Sequence, residues 1–340
     1  MTPAYRIIAE GKDVTANFNG RLIDLAIVDD SGSRAADTLS IVVEDSGSMI
    51  EVPASGAQLR VAIGYAGALT EMGVFVVDEV SIEGPPDRIT IRAAGAPLIK
   101  SELFAPLHTQ KSRSWPTPST LGVLVAVIAY ESGLTAELSN TVKEIQLPHI
   151  DQTNESDINL LTRIAAERGL IVKPTFGKIV VLSIDEAKTA KGRDIPRFAI
   201  DKSSVSTWSF RSSNRRRFQS VVTSWHNQAT GQPVEVGVGS GDPVYRSTVT
   251  YANAQTAQAA ASSFLRNFRR TGTEFTLTMP GQPTFIAEGR ATLSGFRNEM
   301  NDGEWKFTRV EHRISRQGYN TVVTGTAVKE ELPQPAQAAG

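Results

Sequence analysis

A mainly β protein with an α+β middle segment is what this sequence predicts, on three observations. Short runs of β-branched and aromatic residues recur at regular spacing toward both ends of the chain. Between them, from about residue 106, helical periodicity takes over. One β-module is written twice. The first copy runs Gly64-Tyr65, a polar loop, Gly73-Val-Phe75-Val-Val77-Asp-Glu-Val80, a turn at Gly84-Pro85-Pro86 and a strand ending at Gly95. The second runs Gly295-Phe296, a polar loop, Gly303-Glu-Trp305-Lys-Phe307-Thr-Arg-Val310, a turn at Gln317-Gly318 and a strand ending at Gly325. The spacings agree, since 303−73, 310−80 and 325−95 all equal 230. Two similar modules let a small odd-numbered ring present nearly twice its subunit symmetry, which points to a structural part before an enzyme.

From Ile7 to about Leu103 the chain reads as β. Leu22 to Ile27 and Leu39 to Val43 are rich in aliphatic and β-branched residues and bounded by polar turns. Leu59, Val61 and Ile63, then Phe75 and Val77, then Ile89 and Ile91, alternate with other residues at the period of a sheet with one buried face. Several short strands in succession suggest a small barrel or closed sandwich over residues 1–105.

Ser112 to Ser119, with Pro116 and Pro118, reads as a linker, and Thr117-Pro118 as an N-cap and first helical position. Leu121, Leu124, Val125 and Ile128 then recur at helical spacing up to Gly133. A second helix is expected from about Ser156 to Arg168, with Ile158, Leu161, Ile164 and Ala165 on one face and Gly169 as its left-handed cap. Leu170 to Phe176 and Ile179 to Leu182 form a hairpin across Gly177-Lys178, completing an α+β middle domain over 106–190. The second barrel occupies 191–331, interrupted by an alanine-rich helix over about 253–269 with Ala257, Ala261, Phe264, Leu265 and Phe268 buried. Gly237 to Pro243 reads as a flexible loop, and residues 332–340 as a disordered tail.

Composition excludes several function classes. The 340 residues are 40% hydrophobic and 21% charged, with a net charge of −1, so no basic field draws nucleic acid or an anionic membrane. Without cysteine there is no disulfide framework, thiolate nucleophile or zinc–thiolate site, and four scattered histidines leave little for a metal. No cofactor is expected. The start, Met1 to Arg6, has no signal-peptide stretch, and Leu121 to Tyr130 is about half of the ~20 apolar residues a spanning helix needs. Synthesis in a cytoplasm, without membrane insertion, follows as the expectation.

The remaining motifs read as structural. Gly237-x-Gly239-x-Gly241 lacks the helix that must open directly after a phosphate cradle. Glu155 and Asp157 could serve acid–base chemistry, but carboxylates at a helix start are also what the helix dipole favours. Arg215-Arg-Arg217 reads as a solvated turn or one side of a protein interface. His312 stands where the first repeat has Ile82, which makes it a packing position.

Three stretches carry a family resemblance. His149-Ile-Asp-Gln152-Thr-Asn154-Glu155-Ser156-Asp157, continuing through Leu161 and Ile164 to Gly169, resembles the Q-x-N-E-S-D signature of phage late control gene D proteins and of the hub half of VgrG proteins. Pro283 to Gly289 with Gly295-Phe296, and Gly303-x-Trp305 through His312 to Gly318-Tyr319-Asn-Thr321, resemble the C-terminal part of that family. The resemblance implies a baseplate hub of a contractile phage tail or phage-tail-like bacteriocin (tailocin), in which two barrels per subunit build a homotrimeric pseudo-six-fold ring. It implies a symmetry adaptor with a six-fold tail tube or tube-initiator protein on one side, a three-fold central spike on the other, and baseplate wedge proteins around it. VgrG proteins continue into an OB-like domain and a needle, so here the spike is expected to be a separate protein. The competing reading is a tail-associated peptidoglycan hydrolase built on Glu131, Glu155 and Asp157; a glycan-binding tail-tip module is the third.

Overall fold

Ordered β-strands dominate the computed structural model, which describes residues 2–31, 37–95, 105–116, 119–175, 178–183, 195–212, 218–227, 230–270, 273–301 and 303–328. The N-terminal part holds β1 (Pro3–Ala9), β2 (Lys12–Asp13), α1 (Thr15–Phe18), β3 (Leu22–Asp30), β4 (Thr38–Glu44), β5 (Gln58–Tyr65), β6 (Ala68–Glu83) and β7 (Arg88–Gly95). The middle holds α2 (Ala105–His108), β8 (Gln110–Trp115), β9 (Ser119–Thr120), α3 (Leu121–Glu131), β10 (Thr135–Leu138), α4 (Asn140–Lys143), β11 (Gln146–Leu147), β12 (Ile150–Ser156), α5 (Asp157–Glu167), β13 (Leu170–Thr175) and β14 (Lys178–Ser183). Beyond it come β15 (Arg197–Asp201), β16 (Thr207–Ser212), β17 (Ser220–Asn227), β18 (Gln232–Gly239), β19 (Val244–Tyr251), α6 (Ala254–Arg270), β20 (Thr273–Pro280), β21 (Arg290–Ser294), α7 (Asn298–Asn301), β22 (Glu304–Ser315) and β23 (Gly318–Val328).

The duplication is larger than the sequence pattern. In the N-terminal module the strands lie in the order β3-β4-β7-β6-β5-β1; in the C-terminal module the order is β16-β20-β23-β22-β21-β15. Five strands correspond in order and direction. The sixth differs: β1 runs antiparallel to β5, whereas β15 runs parallel to β21. The modules are joined edge to edge, because β3 pairs antiparallel with the C-terminal half of β22, from Arg309 opposite Asp30 to Ser315 opposite Asp24. The result is one 13-stranded sheet. Among the described residues no pairing closes either module on itself, so the closed barrels expected from strand count are not formed by hydrogen bonds within the chain.

The repeat extends to a β-bulge. Pairing of β6 with β7 shifts between Val77 and Glu79, and pairing of β22 with β23 shifts between Phe307 and Arg309, which puts the extra residue at Asp78 and Thr308, 308−78 being 230. The return strands follow a different offset. Val80 faces Ile91 and Val310 faces Val323, and 323−91 is 232. The glycines equated from sequence, Gly95 and Gly325, therefore occupy positions two residues apart. The cause is hairpin length: ten residues (81–90) separate Val80 from Ile91, and twelve (311–322) separate Val310 from Val323, because the longer arms of β22 and β23 outweigh their shorter turn. A slip of two preserves which face each side chain takes, so both cores stay buried. Each glycine still lies opposite a buried aromatic, Phe75 or Phe307, and a Cβ on Gly325 would come within 2.6 Å of the Phe275 ring.

Alternation fills the two cores. Ile7, Leu25, Ile27, Leu39, Ile41, Phe75, Val77, Ile89 and Ile91 form the first; Phe275, Leu277, Trp305, Phe307, Val310 and Val323 belong to the second. The middle segment has its own core, with Leu124, Val125 and Ile128 of α3 packed with Leu160, Leu161 and Ile164 of α5 and with Ile179 and Val181 of β14. α3 starts at Leu121 with Thr120 as its cap, the Thr120 hydroxyl accepting from Val123 N at 3.3 Å, three residues later than expected from Thr117-Pro118. Residues 112–115 of the expected linker over 112–119 belong to strand β8, paired with β12, and 117–118 lie outside the described residues.

An insertion between β16 and β20 carries the small sheet β18-β17-β19 with α6 across it. Ala257, Ala260 and Ala261 let the helix sit close enough for the Thr223 hydroxyl to donate to Ala257 O at 2.9 Å. β18 runs through Gly237 to Gly239, so the first three residues of the expected loop are strand while 240–243 form the loop, and β19 rather than a helix follows it. Arg215 to Arg217 and the tail lie outside the described residues. Among the described residues no helix is long and apolar enough to cross a membrane, and no three His, Asp or Glu side chains form a metal site.

Candidate functional site

The signature residues of the middle segment build a clasp between β8, β12 and α5. β8 sends Lys111, Arg113 and Trp115 to one face, at the strand period of two. Gln152 on β12 is buried and uses its full amide: Oε1 accepts from Arg113 Nε at 2.9 Å and Trp115 Nε1 at 3.2 Å, and Nε2 donates to Glu155 O at 2.8 Å and Asp157 Oδ1 at 2.7 Å. Asn154 takes a positive φ of 48° where the ladder shifts, and its backbone N–H donates to Ser112 Oγ at 3.1 Å. Ser156 caps α5 through Asn159 N, and Gly169 at φ 66° follows its C-terminus. Asp157, fully buried, receives Lys111 Nζ at 2.6 Å and Arg113 Nη2 at 2.8 Å.

That wiring answers whether Glu131, Glu155 and Asp157 could act as acid and base. Arg113 Nη1 donates to both oxygens of Glu131 at 2.7 Å, and Lys111 Nζ adds a third bond at 3.1 Å. Burial pushes the Glu131 carboxyl up, but the bonds from Arg113 and Lys111 outweigh it and leave it below its ordinary value. Glu155 is engaged by Arg163 at 3.0 and 2.7 Å. A general acid needs a carboxyl held protonated near neutral pH. Here all three are bound by cations in a fixed structural network. Sequence reading missed β8 as the cationic half of this clasp; its signal was the Lys-x-Arg-x-Trp alternation.

A second joint ties three parts of the chain together. Asp29, at the end of β3, accepts Ala287 N of the C-terminal module at 2.8 Å and Lys173 Nζ of β13 at 2.8 Å. Lys173 also reaches Asp37 at 2.7 Å. Burial would lower the Lys173 ammonium, but Asp29 and Asp37 hold it above its ordinary value. Burial and the neighbouring Asp29 push Asp37 up to about 6. For Asp29, burial acts upward and is outweighed by Lys173, leaving its carboxyl below the usual range.

The C-terminal signature residues form the third element. Trp305, buried, donates from Nε1 to Met300 O at 2.8 Å and meets Phe275 and Phe210 edge-on. Gly295 turns the chain out of β21, and the Phe296 N–H donates to Asn301 Oδ1 at 3.0 Å. Gly303 leads into β22 and Gly318 opens β23. His312 is 1% exposed, with Nε2 3.0 Å from Phe285 O, so Nε2 carries the proton and Nδ1 accepts from Tyr319 OH at 2.9 Å. Burial lowers its pKa, and it stays neutral. Its repeat-equivalent Ile82 is 64% exposed, so the premise that both copies use this position for packing fails, although His312 is itself buried. Gly73, Phe75 and Val77 are buried in β6, with Val80 half-buried; Tyr65 packs on Tyr319 at 5.6 Å and donates to Gly281 O at 3.0 Å, bridging the modules.

Comparison with known proteins agrees with this architecture. The family model described as phage tail baseplate hub (GPD) matches residues 45–318. The probable baseplate hub protein of Escherichia phage 186 is 29% identical, covering 94% of this chain and 92% of that protein. Among solved structures, a tail protein from Neisseria meningitidis superposes with a TM-score of 0.71 at 15% identity, over 96% of this chain and 97% of that one. A chain of the Francisella PdpA–VgrG complex gives a TM-score of 0.60 at 9% identity, over all of this chain but 60% of that one.

Proposed function

Because this chain belongs to the phage tail baseplate hub (GPD) family, we propose that it acts as a symmetry adaptor in which three copies present six similar modules. It is a baseplate hub of the phage-tail type, a component of the virion tail. The observation that carries the ring reading is the repeated strand order, with the two modules already side by side through β3 and β22. One such step within each of three chains, and one between neighbours, makes six module positions around a three-fold axis. In this reading the modules are barrel-like blocks, over 1–105 and 191–331, whose open sides face their neighbours. The six-fold face takes the tail tube or its initiator, the three-fold face takes the central spike, and baseplate wedge proteins contact the rim. The middle segment, 106–190, with its clasp, braces the ring without catalysis. The particle fits a contractile phage tail or a tailocin, made in the bacterial cytoplasm.

The test is particle mass in solution, alone and mixed with the spike protein encoded alongside it. Three times the 36.7 kDa chain mass is expected in at least the mixture, and a monomer or an even-numbered assembly in both would overturn the reading. In a turbidity assay the purified chain is expected to leave cell walls intact. Clearing that disappears in Glu155→Gln would instead establish the hydrolase.

A further inference from the structure

Each module presents the same two edges, yet among the described residues only one pair of edges is joined. β22 carries β21 along its N-terminal half and β3 along its C-terminal half. Its counterpart β6 carries β5 only as far as Val76 opposite Gln58, followed by a hydrogen bond from Val77 N to Ala57 O. Beyond it, residues 79–83 have no partner on that side among the described residues. The counterpart of β3 is β16, which ends the sheet with one edge unpaired among the described residues. Neither edge contains proline or a bulge beyond Asp78, the usual means of discouraging pairing.

We propose that the free edge of β16 in one subunit pairs antiparallel with residues 79–83 of β6 in the next, repeating between chains the β3–β22 joint within the chain. This rests on the ring reading and specifies its interface. The register follows from ladder rows. Val80 faces Ile91, Ile91 faces Ile41, and Ile41 faces Leu25; in the second module Val310 faces Val323, Val323 faces Leu277, and Leu277 faces Trp208. Leu25 thus corresponds to Trp208, and Ile27 to Phe210. Since His312 lies opposite Ile27, Ile82 lies opposite Phe210, with Glu83 opposite Ser209 and Ser81 opposite Arg211.

The side chains suit that register. Ile82 is 64% exposed and Trp208 39% exposed, and pairing brings Ile82, Phe210 and Trp208 onto the core face. On the outer face Arg211 falls diagonally between Glu79 and Glu83, as Arg313 reaches Asp24 at 2.6 Å across the internal joint. The two edges lie on different strands, so the contact is head-to-tail and repeats the same rotation until it closes.

The chain contains no cysteine, so a disulfide placed across the joint reports it directly. Glu83 and Ser209 are both exposed, and the double variant Glu83→Cys/Ser209→Cys is expected to yield covalent trimers on a non-reducing gel after oxidation of the full-length chain with the spike present. Each single variant should give none. Ser81→Cys/Arg211→Cys tests the same register independently. Three-fold mass with no cross-link from either pair would overturn the edge pairing while leaving the ring intact. Absence of both cross-links and three-fold mass would overturn both.

Discussion

The hairpins β6–β7 and β22–β23 share a strand pattern, a bulge and an aromatic–glycine cross-strand pair, yet the ends of their first strands meet opposite environments. At residues 309–315 β22 is covered by β3, so a polar His312 is buried and fully hydrogen-bonded. At 79–83 β6 has no such cover among the described residues, and apolar Ile82 faces solvent. Hydropathy alone would place them the other way round. The difference teaches that local pattern sets the hairpin, while the neighbour on its edge decides what a position is for. An isoleucine left outside is then informative, because the equivalent surface in the other copy is an interface.

The largest effects should fall where the hairpins are alike. Phe75 and Trp305 are equivalent, 1% exposed and central to their cores. Phe75→Ala and Trp305→Ala should each cost about 3–5 kcal/mol in urea unfolding. A small loss at only one would break the equivalence of the modules. Next come the unlike ends. His312→Ala strands Tyr319 OH and Phe285 O and should cost roughly 1–3 kcal/mol. Ile82→Ser should leave the isolated chain within about 0.5 kcal/mol of wild type, because among the described residues it is 64% exposed. A comparable loss at Ile82 would mean that the edge is already satisfied within one subunit.

Much of this was legible in the sequence. Alternation placed most module strands, helical spacing placed α5 and α6 to within a residue or two at either end, and the 230-residue offset held for β6 and β22 down to the bulge. What failed did so for physical reasons. The return strand slipped by two because hairpin length is free to vary while face parity is not. β8 was hidden because serines and prolines surround Lys111, Arg113 and Trp115, and its partner β12 lies about 40 residues away. The β3–β22 joint links residues nearly 290 positions apart, as in Asp24 and Arg313, and no local pattern encodes such a pairing. The signature residues Gln152 and Asp157 were found as a motif, but their role as a hydrogen-bonded clasp depends on those unseen cations.

The smallest predicted effect uses pH to separate the two joints. His312 has a pKa lowered by burial from its ordinary 6.5, so between that lowered value and 6.5 the unfolded chain binds more protons and stability falls as pH falls. Asp37 is displaced the other way, from 3.8 up to about 6, by burial and by Asp29. Across that window the folded chain binds more protons, and stability falls as pH rises. The two contributions oppose each other where their ranges overlap, below about pH 6, and flatten the wild-type profile there. His312→Gln, which can keep a donor to Phe285 O, should leave the Asp37 slope uncovered, so that urea midpoints decline as pH is raised toward about 6. Asp37→Asn should leave the opposite slope, with midpoints rising over the same range. Expected differences are on the order of 1 kcal/mol per unit of displaced pKa. Identical pH profiles for wild type and His312→Gln would show that this imidazole ionises as freely as in water, and the contrast with exposed Ile82 would lose its physical basis.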